Sequence, residues 1–162
     1  MKKAASVSIL RAAVALLMLV GGLESASFAQ SPNSNPGSIV GVWDVQVTIL
    51  NCSTGDPIAS VRGLHKYELG GTAQVVSATN PATQSAYVGV WTSVGKDKYQ
   101  LHFKLFRFDP AGNYIGWTVV RNNIAISKDA TLYAGSGQAT VYDLNGNPVG
   151  ASCPKFTGTR FQ

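Results

Sequence analysis

The sequence predicts an all-β fold, a closed eight-stranded antiparallel up-and-down barrel. Three observations lead there. From Ile39 onward apolar residues recur every second position, the period of a half-buried strand. Turn-forming clusters cut the chain into eight such segments at short spacing. Cys52 ends the first segment and Cys153 lies within the last, so a bond between them would tie first strand to last. Closure of that kind removes both exposed sheet edges.

The elements follow in order. Trp43, Val45, Val47 and Ile49 alternate with Asp44, Gln46 and Thr48, which makes a first strand. Asn51 to Pro57 is a turn cluster. A second strand runs from Ile58 to Leu69, and Gly70-Gly71 turns it into a third, Thr72 to Ala78. Residues 79–85 form a loop. A fourth strand spans Ala86 to Val94, and 95–97 turn it. The fifth is the clearest: Tyr99, Leu101, Phe103 and Leu105 alternate with Gln100, His102 and Lys104. Asp109 to Asn113 leads into a sixth strand, Tyr114 to Ile126. The seventh is Thr131 to Leu144, and Asn145 to Pro148 leads to the eighth, Val149 to Phe161.

In this order the longer and Pro-containing connections, 51–57, 79–85, 109–113 and 145–148, gather at one end. The short ones gather at the other. The result is a roomy end and a tight end. If Cys52 faces Cys153, Val45 opposes Arg160, and Trp43 lies two residues along the same face, within reach of the guanidinium.

Lys2, Lys3 and Arg11 precede an apolar run, Ala12 to Val20, and the small-x-small stretch Ser27-Phe28-Ala29 follows. This is the layout of a cleavable signal peptide over 1–29. The run is short for a bilayer span of about 20 residues, so no stable membrane anchor is expected after cleavage. Residues 30–38, rich in Ser, Asn, Pro and Gly, read as a flexible leader, and 39–162 as the barrel domain. The expected location is periplasmic or extracellular, where an even cysteine count favours a disulfide. Removing 1–29 takes away three cations and one anion, lowering the formal charge from +5 to +3. The remaining cations are scattered, which excludes the clustered footprint of a nucleic-acid binder. Two cysteines and two histidines lack zinc-ligand spacing, so no metal or cofactor is expected. Oligomeric state is not legible.

Gly41-Val42-Trp43 opens the first strand, and Arg160 closes the last. This pattern resembles the structural signature of calycins, the lipocalins and fatty-acid-binding proteins. The resemblance implies that Gly41, Trp43 and Arg160 form a structural plug at the tight end and that a ligand enters opposite. The chain also looks like exported bacterial barrels of lipocalin-like or allene-oxide-cyclase-like type. Some such barrels steer cyclisation or coupling of apolar compounds.

In the second strand His65, Tyr67 and Leu69 share a face, while Leu64, Lys66 and Glu68 share the other. The charged pair directs the first set inward. His65 and Tyr67 are the weak catalytic candidates, able to orient a ligand or exchange protons. A buried, hydrogen-bonded His beside a core Tyr is the favoured reading of the pair. Tyr99, Leu101, Phe103 and Leu105 make an apolar wall, with Arg107 continuing its parity toward the roomy end. Arg107 can meet a carboxylate or reach solvent at the rim. Tyr133, Gly135, Gly137, Ala139 and Val141 share a face of the seventh strand, its small residues leaving ligand volume or allowing strand coiling. The candidate ligand-binding set is therefore Tyr67, Tyr99, Leu101, Phe103, Leu105, Arg107 and Tyr133.

The expected function is non-catalytic binding of a small hydrophobic or amphipathic molecule. The alternatives are an isomerase or cyclase acting through His65 and Tyr67, and a structural or interaction barrel with a filled core. In the last case Phe106 and Phe108, on the outer parity, would mark a contact face.

Overall fold

The computed structural model describes residues 38–161. The signal peptide over 1–29 and nearly all of the leader lie outside the described residues. Eight strands follow in sequence: β1 (Gly41–Leu50), β2 (Pro57–Tyr67), β3 (Thr72–Ser77), β4 (Tyr87–Gly95), β5 (Lys98–Phe108), β6 (Tyr114–Ile126), β7 (Leu132–Tyr142) and β8 (Pro148–Arg160). Each pairs antiparallel with the next, and β8 returns to β1, closing the barrel. Neither sheet edge is left open. No helix occurs among the described residues.

The period-two pattern decides which side chains point in. On β5, Tyr99, Leu101, Phe103 and Leu105 are buried while Lys98, Gln100, His102 and Lys104 are exposed. On β6, apolar on both faces in the sequence, Val120, Asn122, Ile124 and Ile126 turn inward. Trp117 turns outward, where the Lys104 ammonium lies 4.8 Å from its centroid and Tyr142 stacks 5.5 Å away. Its row is therefore satisfied without the core.

The expected pairing of Val45 with Arg160 is corrected by two residues. Trp43 is the direct partner of Arg160, and Leu50, not Cys52, is the partner of Cys153. The physical reason is that Cys52 lies beyond the end of β1. The Asn51 side-chain carbonyl accepts the Ser53 N–H at 2.8 Å, and its backbone carbonyl accepts that of Gly55 at 2.8 Å. This turn folds Cys52 back onto β8, where it forms a disulfide with Cys153, Cα to Cα 5.0 Å.

Other departures have local causes. The alternation of the second strand puts Leu69 inside with His65 and Tyr67, yet it is 82% exposed, because β2 stops at Tyr67 and 68–71 turn. The composition of 30–38 places Ser38 in the leader, yet its carbonyl accepts from Arg160 Nη2 at 2.8 Å, which ties it to the barrel. The last turn is 143–147 rather than 145–148. Asp143 Oδ1 accepts the N–H groups of Asn145 and Asn147 at 2.9 and 2.8 Å, and Oδ2 accepts Asn147 Nδ2 at 3.0 Å. Asp109 organises 109–113 in the same way. Such Asx turns use a side-chain acceptor to satisfy several backbone donors at once.

Candidate functional site

The closed end is a floor built around Trp43. Its indole is fully buried and donates from Nε1 to the Ile39 carbonyl at 2.8 Å. The Arg160 guanidinium covers the ring at 4.3 Å from its centroid. Its Nε, Nη1 and Nη2 donate to the carbonyls of Ala130, Val40 and Ser38, each at 2.8 Å. Every arm of the guanidinium is thus engaged. Gly41 has φ +129°, and a Cβ there would lie 2.7 Å from Arg160 Nη1, so the glycine makes room for the cation. The second Gly-x-Trp, Gly89-Val90-Trp91, serves the same end. Trp91 donates to the Glu68 carbonyl at 3.0 Å and packs edge-on against Tyr99 at 5.6 Å.

Above the floor, two strands bring polar groups together. Tyr67 and His65 share the inner parity of β2, and Tyr133 reaches them from β7. His65 Nδ1 lies 3.1 Å from the Tyr67 hydroxyl and 2.9 Å from the Tyr133 hydroxyl. Both hydroxyls thus converge on the one ring nitrogen. Burial lowers the imidazole pKa to about 4 and pushes both phenols upward, because a low-dielectric surrounding penalises each charged form. At neutral pH all three groups are uncharged. A base this weak and acids this weak are poorly matched to proton transfer near pH 7.

The imidazole makes both its hydrogen bonds at Nδ1, and His65 also lines a cavity of about 160 Å³. Val47, Val61, Val75, Phe103, Val120 and Phe156 supply most of the wall, and His65 and Asn122 are its deep polar groups. Asn122 is 6% exposed, and its Oδ1 has no hydrogen-bond partner. The roomy end is narrowed by 78–86. Ser85 N–H donates to the Phe106 carbonyl at 3.0 Å and Phe108 N–H to that of Thr83 at 2.9 Å, laying this loop along the end of β5. Gln84 Nε2 then donates to Ser77 Oγ at 2.9 Å and to Thr79 Oγ1. Ser77, Thr79, Gln84 and Tyr87 give the cavity a polar mouth. A broader depression of about 590 Å³ on the outer wall, flanked by Gln46, Ala134 and Thr157, is open to solvent and contains no orphaned polar atom among the described residues.

Of the sequence candidates, Phe103 lines the cavity. Tyr67 and Tyr133 stand behind His65. Tyr99 belongs to the closed end. Leu101 and Leu105 are buried in the core but do not line the cavity. Arg107 is half-buried near the mouth, its backbone bridged to Gln84, and is likewise outside the lining. The small face of β7 does not leave free volume at its glycines. A Cβ at Gly135 would strike the Phe156 ring at 2.5 Å, and one at Gly137 would strike Asn122 Oδ1 at 2.1 Å. Those positions are filled by neighbours from β8 and β6. His102 is exposed.

Asn122, Val75, Tyr87 and Phe156 were absent from the sequence candidates. The signal for Asn122 was present: a polar residue at the parity of Val120, Ile124 and Ile126. It was masked because the opposite parity also carries Trp117 and Val119.

No family model and no curated protein matches the chain. Among solved structures, the crystal structure of Rv2717c from M. tuberculosis is similar at 12% identity. The match covers 76% of this chain and 92% of that one, with a TM-score of 0.40.

Proposed function

We propose that this protein is an exported, non-catalytic receptor for one small hydrophobic or amphipathic molecule, a lipocalin-like role performed by a barrel with an unusually small interior. The observation that carries the reading is the largely apolar cavity lined by Phe103 and Phe156, with His65 and Asn122 among its few polar lining residues. The Cys52–Cys153 bond supports a periplasmic or extracellular location.

Volume decides the ligand size. A cavity of about 160 Å³ is below the usual range for drug-sized ligands, roughly 300–1,000 Å³. It is close to the size of an apolar cavity that holds benzene, ~150 Å³. A fatty-acid chain does not fit, whereas a single ring does. An isomerase or cyclase acting through His65 and Tyr67 is favoured by their contact but disfavoured by the direction of both pKa shifts.

Amide and methyl NMR titration of the mature protein with toluene tests the reading. Shifts should concentrate at Val47, Val75, Val120 and the ring of Phe103. If toluene, phenol and benzoate all leave these resonances unmoved, the binding role is wrong.

A further inference from the structure

Charge is distributed unevenly around the outside of the barrel. Strands β4 to β8 carry no Asp or Glu, and the four acids of this stretch, Asp97, Asp109, Asp129 and Asp143, all sit in turns. The carboxylates of Asp109 and Asp143 at the mouth end are bonded to N–H groups of their own turns. On the opposite wall the acids are paired, Asp44 with Arg62 at 2.7 Å and Glu68 with Lys66 at 2.6 Å. The outer wall of β5 and β6 presents exposed Lys104 and Arg121, and neither joins an ion pair among the described residues. Arg121 lies directly opposite His102, two residues along β5 from Lys104. Cations that are scattered in the sequence thus meet on one acid-free wall.

Toward the mouth the same wall is aromatic. Phe106 is 47% exposed and Tyr114 41%, their rings edge-on at 5.7 Å. Exposed Val88 and Val90 extend the patch onto β4, opposite Lys104 and His102. Phe106 borders the mouth, since its N–H donates to Ser85 Oγ at 2.9 Å. An apolar patch interleaved with cations marks a contact surface, and its positive field selects a negatively charged partner. A second copy presenting the same wall would set like charges face to face. Trp117 is flanked by the Lys104 ammonium from β5, 4.8 Å from its centroid, and by stacked Tyr142 from β7. Neither face is left open to stack on a nucleobase. Ring edges remain, and amphipathic rings beside Lys and Arg suit the headgroup level of a bilayer.

We propose that the outer wall of β5 and β6 docks on a bilayer containing anionic phospholipid, with Lys104 and Arg121 over headgroup phosphates and Phe106, Tyr114 and Trp117 at the headgroup level. The attachment is peripheral and electrostatic, and it stands whether or not the cavity holds a ligand. It brings the 78–86 loop and the cavity mouth to the surface of the phase into which apolar molecules partition.

Vesicle flotation of the mature chain, from Gln30, tests the proposal. The protein should float with vesicles of phosphatidylglycerol and phosphatidylcholine in equal parts and stay in solution with phosphatidylcholine alone. Salt should release it, because salt screens surface charge. Lys104→Ala combined with Arg121→Ala should weaken binding about thirtyfold, the loss expected for two cations at an anionic surface. Lys66→Ala combined with Lys128→Ala removes the same formal charge from exposed positions elsewhere and should bind like the native chain. Flotation with both lipid compositions alike, flotation with neither, or equal losses in the two double variants would each overturn the proposal. So would a single-stranded oligodeoxynucleotide binding more tightly than the vesicles at equal phosphate concentration, which would make the wall a nucleic-acid surface. Toluene titration reads the cavity separately, so failure here leaves the receptor role standing.

Discussion

Arg160 lies directly opposite Trp43 across the β1–β8 seam, with its guanidinium over the indole and three of its donors on three backbone carbonyls. Those carbonyls belong to Ser38, Val40 and Ala130, so one side chain joins the chain leading into β1 to the β6–β7 turn. Arg160→Ala should lower stability by about 2–3 kcal/mol, combining the cation–π contact, the packed stem and carbonyls left short of donors. Arg160→Lys should recover only part of this, because an ammonium cannot span the three acceptors while stacking. Urea unfolding measures both. Toluene binding by the folded fraction should be unchanged, since the cavity lies beyond His65.

Gly41 is tied to the same device. Its φ of +129° is a backbone region that side chains rarely adopt, and an added Cβ would meet Arg160 Nη1. Gly41→Ala should cost about 1–3 kcal/mol. In the Arg160→Ala background the steric part of that cost should shrink. A double-mutant cycle on the unfolding midpoints reads the coupling; strict additivity would mean that the glycine serves only its own backbone.

His65 should make stability pH-dependent. Its folded pKa is about 4, below the unfolded value of about 6.5. Between those values the unfolded chain binds a proton that the native state refuses. The contribution is therefore fully present above pH ~6.5 and is lost as pH falls toward 4, a total of about 3 kcal/mol. His65→Gln should flatten this part of the profile. Urea midpoints of both proteins at pH 7.5 and 4.5 isolate the term, because the surface carboxylates titrate in both.

Cys52 and Cys153 are 101 residues apart in sequence. The chain-entropy model assigns about 4–5 kcal/mol to a loop of that size, an upper value for most bridges. The Cys52→Ser, Cys153→Ser double variant should therefore show a markedly lower unfolding midpoint, while remaining a barrel because Leu50 and Trp43 still pair with β8. Alkylation of oxidised native protein should find no free thiol.

Much of the fold was legible because alternation is a strong signal wherever only one face is buried, as on β5. The closing pair was legible in kind but not in register. Cys52 falls inside the 51–57 turn cluster, and pairing it with Cys153 as a strand partner displaces the register by two residues. The interior was less legible. Phe103 and His65 lie on strands whose inner parity is plain, and both reach the cavity. Leu101 and Leu105 have the same parity and do not, since parity separates inside from outside but not one layer of the barrel from another. Phe156 fills space above Gly135, and nothing in local sequence shows that a glycine on one strand accommodates a ring from the next.

The proposed receptor role requires the interior to take up one small ring beside Phe103 and Phe156. Its most direct measurement is a crystal structure of the protein exposed to bromobenzene, with the halogen located by anomalous scattering. One bromine peak should appear inside the barrel, among Val75, Phe103 and Phe156. An interior without a peak, or bromine confined to the outer wall near Ala134 and Thr157, would contradict it.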